Sequence, residues 1–394
     1  MEEHKRRALH TFLKRSADKT LSEYVKLVDG VAEELMECYE ALDEERWKKY
    51  RDRFVQLMIT GACFLHEVVR VGTGCNDGYH PSEPVFSSHG MLFNMPYFRR
   101  DILLIENQLP LQLLFKLVAA QTGEEENDDL RIRVNRRILN FFSREMPSHD
   151  IVDCLHILDL FRKSMIMEQR RPQCRRSILV ENKGVRIPVI NTSNIQSAAR
   201  WFRPSQNYSN FGIIRSATEL HEAGVRFKKS KADSLMDITF KDGVLRLPPS
   251  SVNDATECTL LNVIALERLH NGTGYQVTSY VFFMDNILDS PKEVNLLRYR
   301  GILKRALGSD EALAKLFNRL SSKDIAPDID PNFPLVVIHQ DLSKYCKISW
   351  NKWKANLRHN YLFNPWVVSV AASSLLGMSQ TAYTILGYHK PPAS

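Results

Sequence analysis

His66-Glu67 most invites a reading as chemistry, because a zinc-protease helix carries two histidines four residues apart with a glutamate between them as general base. The residue four on from His66 is Arg70, so the ligand pair is absent and an ordinary helix residue near a loop is expected. Cys75, His80 and His89 share one stretch rich in Gly, Pro and His, but their spacing fits no usual zinc pattern. Gly72-Thr-Gly74 and Gly272-Thr-Gly274 lack the third glycine and the Lys-Ser/Thr pair that would cradle a pyrophosphate, and read as turns. There is no Gly-x-Ser-x-Gly elbow. Carboxylate pairs such as Glu33-Glu34 and Glu44-Glu45 fall on charged helical faces, where solvated side chains are the rule. No catalytic residue, metal or cofactor is assigned. His80, His89 and the arginines from Arg170 to Arg176 are the candidates left for an enzyme with an unrecognised site.

The elements around these residues are mostly helical. With 394 residues and 44% hydrophobic composition, the chain can bury a sizeable core. Apolar residues recur at helical spacing through Leu21, Val25, Val28 and Leu35, and again through Phe54, Leu57, Met58 and Leu65. Residues 72–97 read as a loop, and Asp101 opens a helical segment that Pro110 breaks or restarts. Residues 1–167 therefore form an N-terminal helical part, 168–215 an irregular connecting excursion, and 216–363 a second helical part. In the second part, Ser216 and Glu219 have capping-box spacing, and Ser290 before Pro291 and Ser309 supply further caps. Asp242-Gly243 between two apolar runs predicts a small β-hairpin near 225–247, and Pro291–Leu307 reads as helix. The fold class expected is mainly α (α+β).

A net charge of +7 spread among many acids gives no support to nucleic-acid binding. Seven scattered cysteines without a Cys-x-x-Cys pair suit reduced thiols, and the charged start of the chain lacks the apolar core of a secretory signal. The other end is different. Pro365 to Tyr388 carries no Asp, Glu, Lys, Arg or His. At about 1.5 Å per helical residue, such a run is long enough to cross a hydrocarbon core of roughly 30 Å. Lys347, Lys352, Lys354, Arg358 and His359 precede it, and basic residues beside a span tend to stay cytoplasmic. The expectation is a single membrane-spanning helix with the bulk of the chain cytosolic, the plasma membrane being the favoured location. Ser369, Ser373, Gly377, Gln380, Thr384 and Gly387 share one arc of that helix, and their small-residue spacing would let a second helix approach. The alternative, that the segment packs on its own domain in a soluble protein, draws on its serines and threonines.

Several blocks resemble the plant family known as domain of unknown function 247, or UPF0481-like proteins. They are Asp101-Ile-Leu-Leu-Ile-Glu-Asn-Gln-Leu-Pro110, Leu155-His-Ile-Leu-Asp-Leu-Phe-Arg162, Ala217-Thr-Glu-Leu-His-Glu-Ala-Gly-Val225, Val277-Thr-Ser-Tyr280 with Phe283-Met-Asp285, and Asn364-Pro-Trp366. The resemblance implies a mainly helical protein ending in one membrane-spanning helix, with no activity or cofactor established. It also implies roles in recognition or signalling, among them self-incompatibility, development or stress response. Members usually carry a further N-terminal segment, so a chain starting just before His4-Lys5 is expected to be a short gene model or a diverged member. Thr60-Gly-Ala-Cys-Phe64 also departs from the usual Asp-Gly-Cys-Phe. The expected partners are membrane lipid, through the C-terminal helix, and an unknown protein or a second copy of the chain.

Overall fold

The computed structural model describes residues 2–16, 19–39, 42–75, 78–144, 147, 150–167, 215–232, 234–270, 272–305, 309–321, 334–347 and 365–388. Mainly helical patterning is realised as sixteen α-helices, one 3-10 turn and five short strands among those residues. Helices α1 (Glu2–Lys14), α2 (Leu21–Asp29), α3 (Ala32–Glu37) and α4 (Glu44–Lys49) lead into the long α5 (Arg51–Gly72). The α5 helix is the axis of this region, with α1, α2, α7 (Leu111–Thr122) and α8 (Asp128–Phe141) packed around it. Its Phe54, Ile59 and Cys63 join Phe12, Tyr24, Leu35, Leu113 and Leu117 in one buried cluster. Local chemistry sets the ends: the Glu23 carboxylate accepts from the Thr20 amide at 2.6 Å and its hydroxyl at 2.9 Å. Gly123, at φ 72°, closes α7 in the left-handed region.

Residues 72–97 are not one loop. Helix α6 (Ser88–Ile102) begins within them, capped by Ser87, whose Oγ accepts from the Gly90 amide at 3.0 Å. Before it, the Glu83 carboxylate takes the amides of Val85, at 2.8 Å, and Phe86. Sequence periodicity hides this helix because apolar residues lie on its outward face as well as its inward one. After α6, a 3-10 turn at Ile105–Asn107 leads to Pro110 and the restart at Leu111.

Helix α9 (Ile157–Ile166) is followed, beyond the undescribed stretch that takes in nearly all of the expected excursion, by α10 (Ala217–Glu222). Ser216, Ser290 and Ser309 cap α10, α13 (Pro291–Tyr299) and α14 (Asp310–Leu320), as their positions predict. The hairpin also forms: β2 (Thr239–Lys241) pairs antiparallel with β3 (Val244–Leu247) across Asp242 and Gly243, at φ 52° and 69°. Strand β1 (Arg226–Lys229) joins parallel to β3, giving the order β1-β3-β2. A second pair, β4 (Ser250–Val252) with β5 (Leu303–Arg305), is parallel and spans the two helices α11 (Thr256–Leu269) and α12 (Gln276–Ile287) in addition to α13. The predicted helix Pro291–Leu307 is thus cut short at Tyr299, because Gly301 at φ 70° turns the chain into β5.

The larger core cluster draws on α5 through α9 and on the strands and helices after residue 216, up to Cys346 in α15 (Pro334–Lys347). The last described helix, α16, is Pro365–Tyr388. Among the described residues, the one helix long and apolar enough to cross a membrane is α5, and most of it is buried in the fold. The charge-free α16 does not reach that hydropathy, so a span there is not shown by length and hydropathy.

Gly90 is where α6 meets the preceding loop most tightly, since an added Cβ would strike the Pro84 carbonyl group. Gly90→Ala is expected to lower unfolding free energy by about 1–3 kcal/mol, read by urea denaturation.

Candidate functional site

Residues of the family-like blocks hold helix junctions through hydrogen bonds, and two of the blocks meet directly at Gln108 and Leu158. Gln108 donates its side-chain amide to the Ile102 and Leu104 carbonyls at 2.8 and 2.6 Å, and its Oε1 accepts from the Leu158 amide at 3.0 Å. Beside it, the Leu111 amide donates to the Leu155 carbonyl at 2.9 Å. The Thr218 hydroxyl donates to Glu293 at 2.6 Å, and Tyr280 and Ser250 share a 2.9 Å hydroxyl contact. These polar side chains brace the backbone where helices meet, which keeps buried amides and carbonyls paired.

Two clusters also hold buried charge. Arg162 on α9 donates Nε to Glu267 on α11 at 2.8 Å, and its other nitrogen reaches the Gln276 side chain at 2.5 Å and the Thr273 carbonyl. Glu267 accepts further from the Val277 amide at 3.0 Å and from the Thr278 amide and hydroxyl at 2.9 and 2.7 Å. Both charges are all but fully buried and every neighbour is a donor or acceptor of the right kind. In the other cluster, Glu67 on α5 is wholly buried and meets Arg15, Arg70, His66 and the Tyr79 hydroxyl, the last at 2.9 Å. Burial alone would raise this carboxyl, but hydrogen bonds from His66 and Arg15 and the charges of Arg15 and Arg70 hold it near 2. His66 is thus a core residue, edge-on to Phe12 with ring centroids 5.2 Å apart, and not a residue at a loop margin. Its sequence neighbour is the anchor of an ion cluster, which spacing alone did not reveal.

A third group lies around the start of α9. His156 is the N-cap, its Nδ1 accepting from the Asp159 amide at 3.1 Å, while its buried Nε2 has no hydrogen-bond partner. His270, also buried, has neither ring nitrogen paired. Asp159 accepts from the Leu155 amide at 3.1 Å and pairs with Lys163 at 2.9 Å. Burial pushes the His156 imidazole down to about 4 and lowers His270 as well, against the pull of the Asp159 charge. Cys154, with Lys163 Nζ at 4.0 Å, is held protonated by burial and is no activated nucleophile.

The other residues singled out by type do not converge. His80 is exposed and bonded to Ser82 at 2.7 Å, His89 is exposed against the Phe93 ring, and Cys75 is a free exposed thiol. No group of three metal-ligating side chains occurs among the described residues. The arginines from Arg170 to Arg176 lie outside them.

On α16, the described side chains are exposed, with Val370, Leu375, Leu376, Met378 and Tyr383 between 63 and 84% accessible. Ser373 donates its hydroxyl to the Ser369 carbonyl at 2.8 Å and Thr384 to that of Gln380 at 2.7 Å. Ser374, Ser379 and Thr381 also bond back to their own helix. A Cβ at Gly377 would meet open space. Of the predicted interaction face, Gly387 lies where only the backbone is described, and Ser369, Ser373, Gly377, Gln380 and Thr384 are exposed.

These features define a mainly helical protein with a small β-hairpin, a polar-braced core and a charge-free helix at its end. It belongs to the family of plant proteins of unknown function called domain of unknown function 247, whose sequence pattern matches residues 1–378. The chain is similar to a UPF0481 protein of Arabidopsis thaliana, at 25% identity over 98% of this chain and 79% of the relative. It is also similar to a putative UPF0481 protein of the same plant, at 24% identity over 70% of this chain and 64% of the relative. No solved structure gives a significant match.

The depressed His156 pKa has a thermodynamic consequence. Its stabilisation is complete above the ordinary value of 6.5 and is lost as pH falls toward 4, because the unfolded chain then binds the proton first. Stability should fall by about 3 kcal/mol across that window. Glu67 adds its own loss only below 4.5. Urea unfolding at pH 7 and pH 5 checks this, and His156→Asn, which retains a capping side chain, should flatten the slope.

Proposed function

We propose that this protein is a membrane-anchored, non-enzymatic plant protein that acts in protein recognition or signalling, its folded body cytosolic and held at the plasma membrane by α16. One observation carries the reading: a 24-residue helix without a charge, whose described side chains are exposed to solvent. Each large apolar side chain on it would gain roughly 1.5–3 kcal/mol on leaving water. The hydroxyls of Ser373, Ser374, Ser379, Thr381 and Thr384, which dilute its hydropathy, are bonded to their own helix, so hydrocarbon would not strip them of partners. The same exposure weighs against the alternative in which α16 packs on its own domain. The basic residues before Pro365 favour a cytosolic body. A part in self-incompatibility, development or stress response would fit such a protein.

The arc of Ser369, Ser373, Gly377, Gln380, Thr384 and Gly387 is the face on which α16 would pair with a second copy or a partner helix. With the Ser373 and Thr384 hydroxyls bonded to their own helix, Gln380 is a side chain that could hydrogen-bond across the contact.

Carbonate extraction of plant membranes should leave the protein in the pellet, and release into the supernatant would overturn the anchor. In a membrane two-hybrid or crosslinking assay, Gly377→Leu should weaken helix association by blocking close approach. Gln380→Leu should cost roughly 1 kcal/mol in the same assay. Unchanged association in both variants would remove this face from the proposal.

A further inference from the structure

The folded body has a second unburied apolar surface, and it is rigid. Of the fifteen residues of α6, only Gly90 and Met91 are buried. Its outward half carries His89, Leu92, Phe93, Pro96, Tyr97 and Arg100, with Leu92 72%, Phe93 62% and Tyr97 59% exposed. The helix is fixed from behind by the Gly90–Pro84 approach and by Arg99, which donates to the Phe141 carbonyl at 2.7 Å and to Ser143 at 3.0 Å. On the outward face, His89 sits edge-on to Phe93 at 4.8 Å and the Arg100 guanidinium lies 5.7 Å from the Tyr97 ring centre. From Ser88 to Arg100 there is no acidic residue, and Asp101, the first one after them, is paired with Arg100.

Rings and an aliphatic side chain edged by His89 and by Arg100, whose guanidinium is shared with the half-exposed Asp101 carboxylate, match the boundary between lipid headgroups and acyl chains. There aromatic rings partition, and basic groups meet phosphate and serine headgroups. We infer that the outward face of α6 docks on the surface of an anionic bilayer, seating the folded body against the membrane. The inference rests on the anchor reading for proximity: residues 348–364 join α15 to α16, and a chain of that length reaches at most roughly 60 Å. The anchor would thus hold α6 within reach of one leaflet at high effective concentration.

The test uses the full chain reconstituted into vesicles of phosphatidylcholine and phosphatidylserine that contain a phosphatidylserine analogue with a photoactivatable group near the headgroup. Lipid adducts are then mapped by peptide mass spectrometry. Adducts are expected on 88–100 and on 365–388, and Phe93→Glu with Tyr97→Glu should reduce those on 88–100 by about tenfold while leaving those on 365–388 unchanged. Adducts on 365–388 without any on 88–100 would overturn the docking and leave the anchor standing, including the case in which a second copy covers α6. Adducts on 88–100 alone, removed by the double variant, would keep the docking and overturn the anchor. Equal labelling of 88–100 in wild type and double variant would mean exposure without docking, and would overturn it.

Discussion

Two opposite charges taken out of water, Arg162 and Glu267, set a constraint that the rest of the fold satisfies. Neither tolerates burial alone: removing one partner from such a pair typically costs about 3–5 kcal/mol, mostly the penalty on the charge left behind. The pair therefore requires α9 to lie against α11 and requires the turn from Thr273 to Thr278 to bring its amides and hydroxyl to the carboxylate. Those residues are far apart in the chain, so the interaction ties the segment before the undescribed stretch to the segment after it. Gln108 then fixes α9 to the turn before α7, and the core closes around these polar braces.

Glu67 plays a similar part around α5. Its carboxylate gathers groups from α1, from α5 itself and from the loop at Tyr79, and the aromatic contacts of Phe12 with Tyr24 and His66 fill the space beside it. A helix with hydropathy high enough for a membrane can thus serve as a core axis, because buried charges on it find partners within the fold. Hydropathy measures composition, whereas burial depends on what surrounds the helix.

Much of this was legible in the sequence where the signal is local. Serine caps and the Asp242-Gly243 turn act through neighbouring residues and form where the sequence places them, and the charge-free run from Pro365 is helical. Signals that depend on distant partners were not legible. His66 and Glu67 read as a failed metal motif because Arg15 and Tyr79 lie elsewhere in the sequence, and Gln108 and Leu158, from two of the family-like blocks, turn out to be hydrogen-bonded to each other. Helix α6 was missed for another reason. Its outward apolar residues erase the contrast between faces on which periodicity depends.

The unpaired histidines sharpen the distinction between architecture and function. Where Glu67 and Glu267 use every acceptor, His156 Nε2 and both nitrogens of His270 are buried without partners. A neutral imidazole always carries one N–H, so each ring forgoes hydrogen bonding that water would supply, a cost of roughly 1–3 kcal/mol per unsatisfied group. His156 recovers part of this by capping α9. His270, at the end of α11, sits within electrostatic reach of the same Asp159 carboxylate. The start of α9 therefore holds buried imidazoles whose hydrogen bonding is incomplete. Acid would protonate histidines there that the folded state prefers neutral, loosening the helix that carries Arg162.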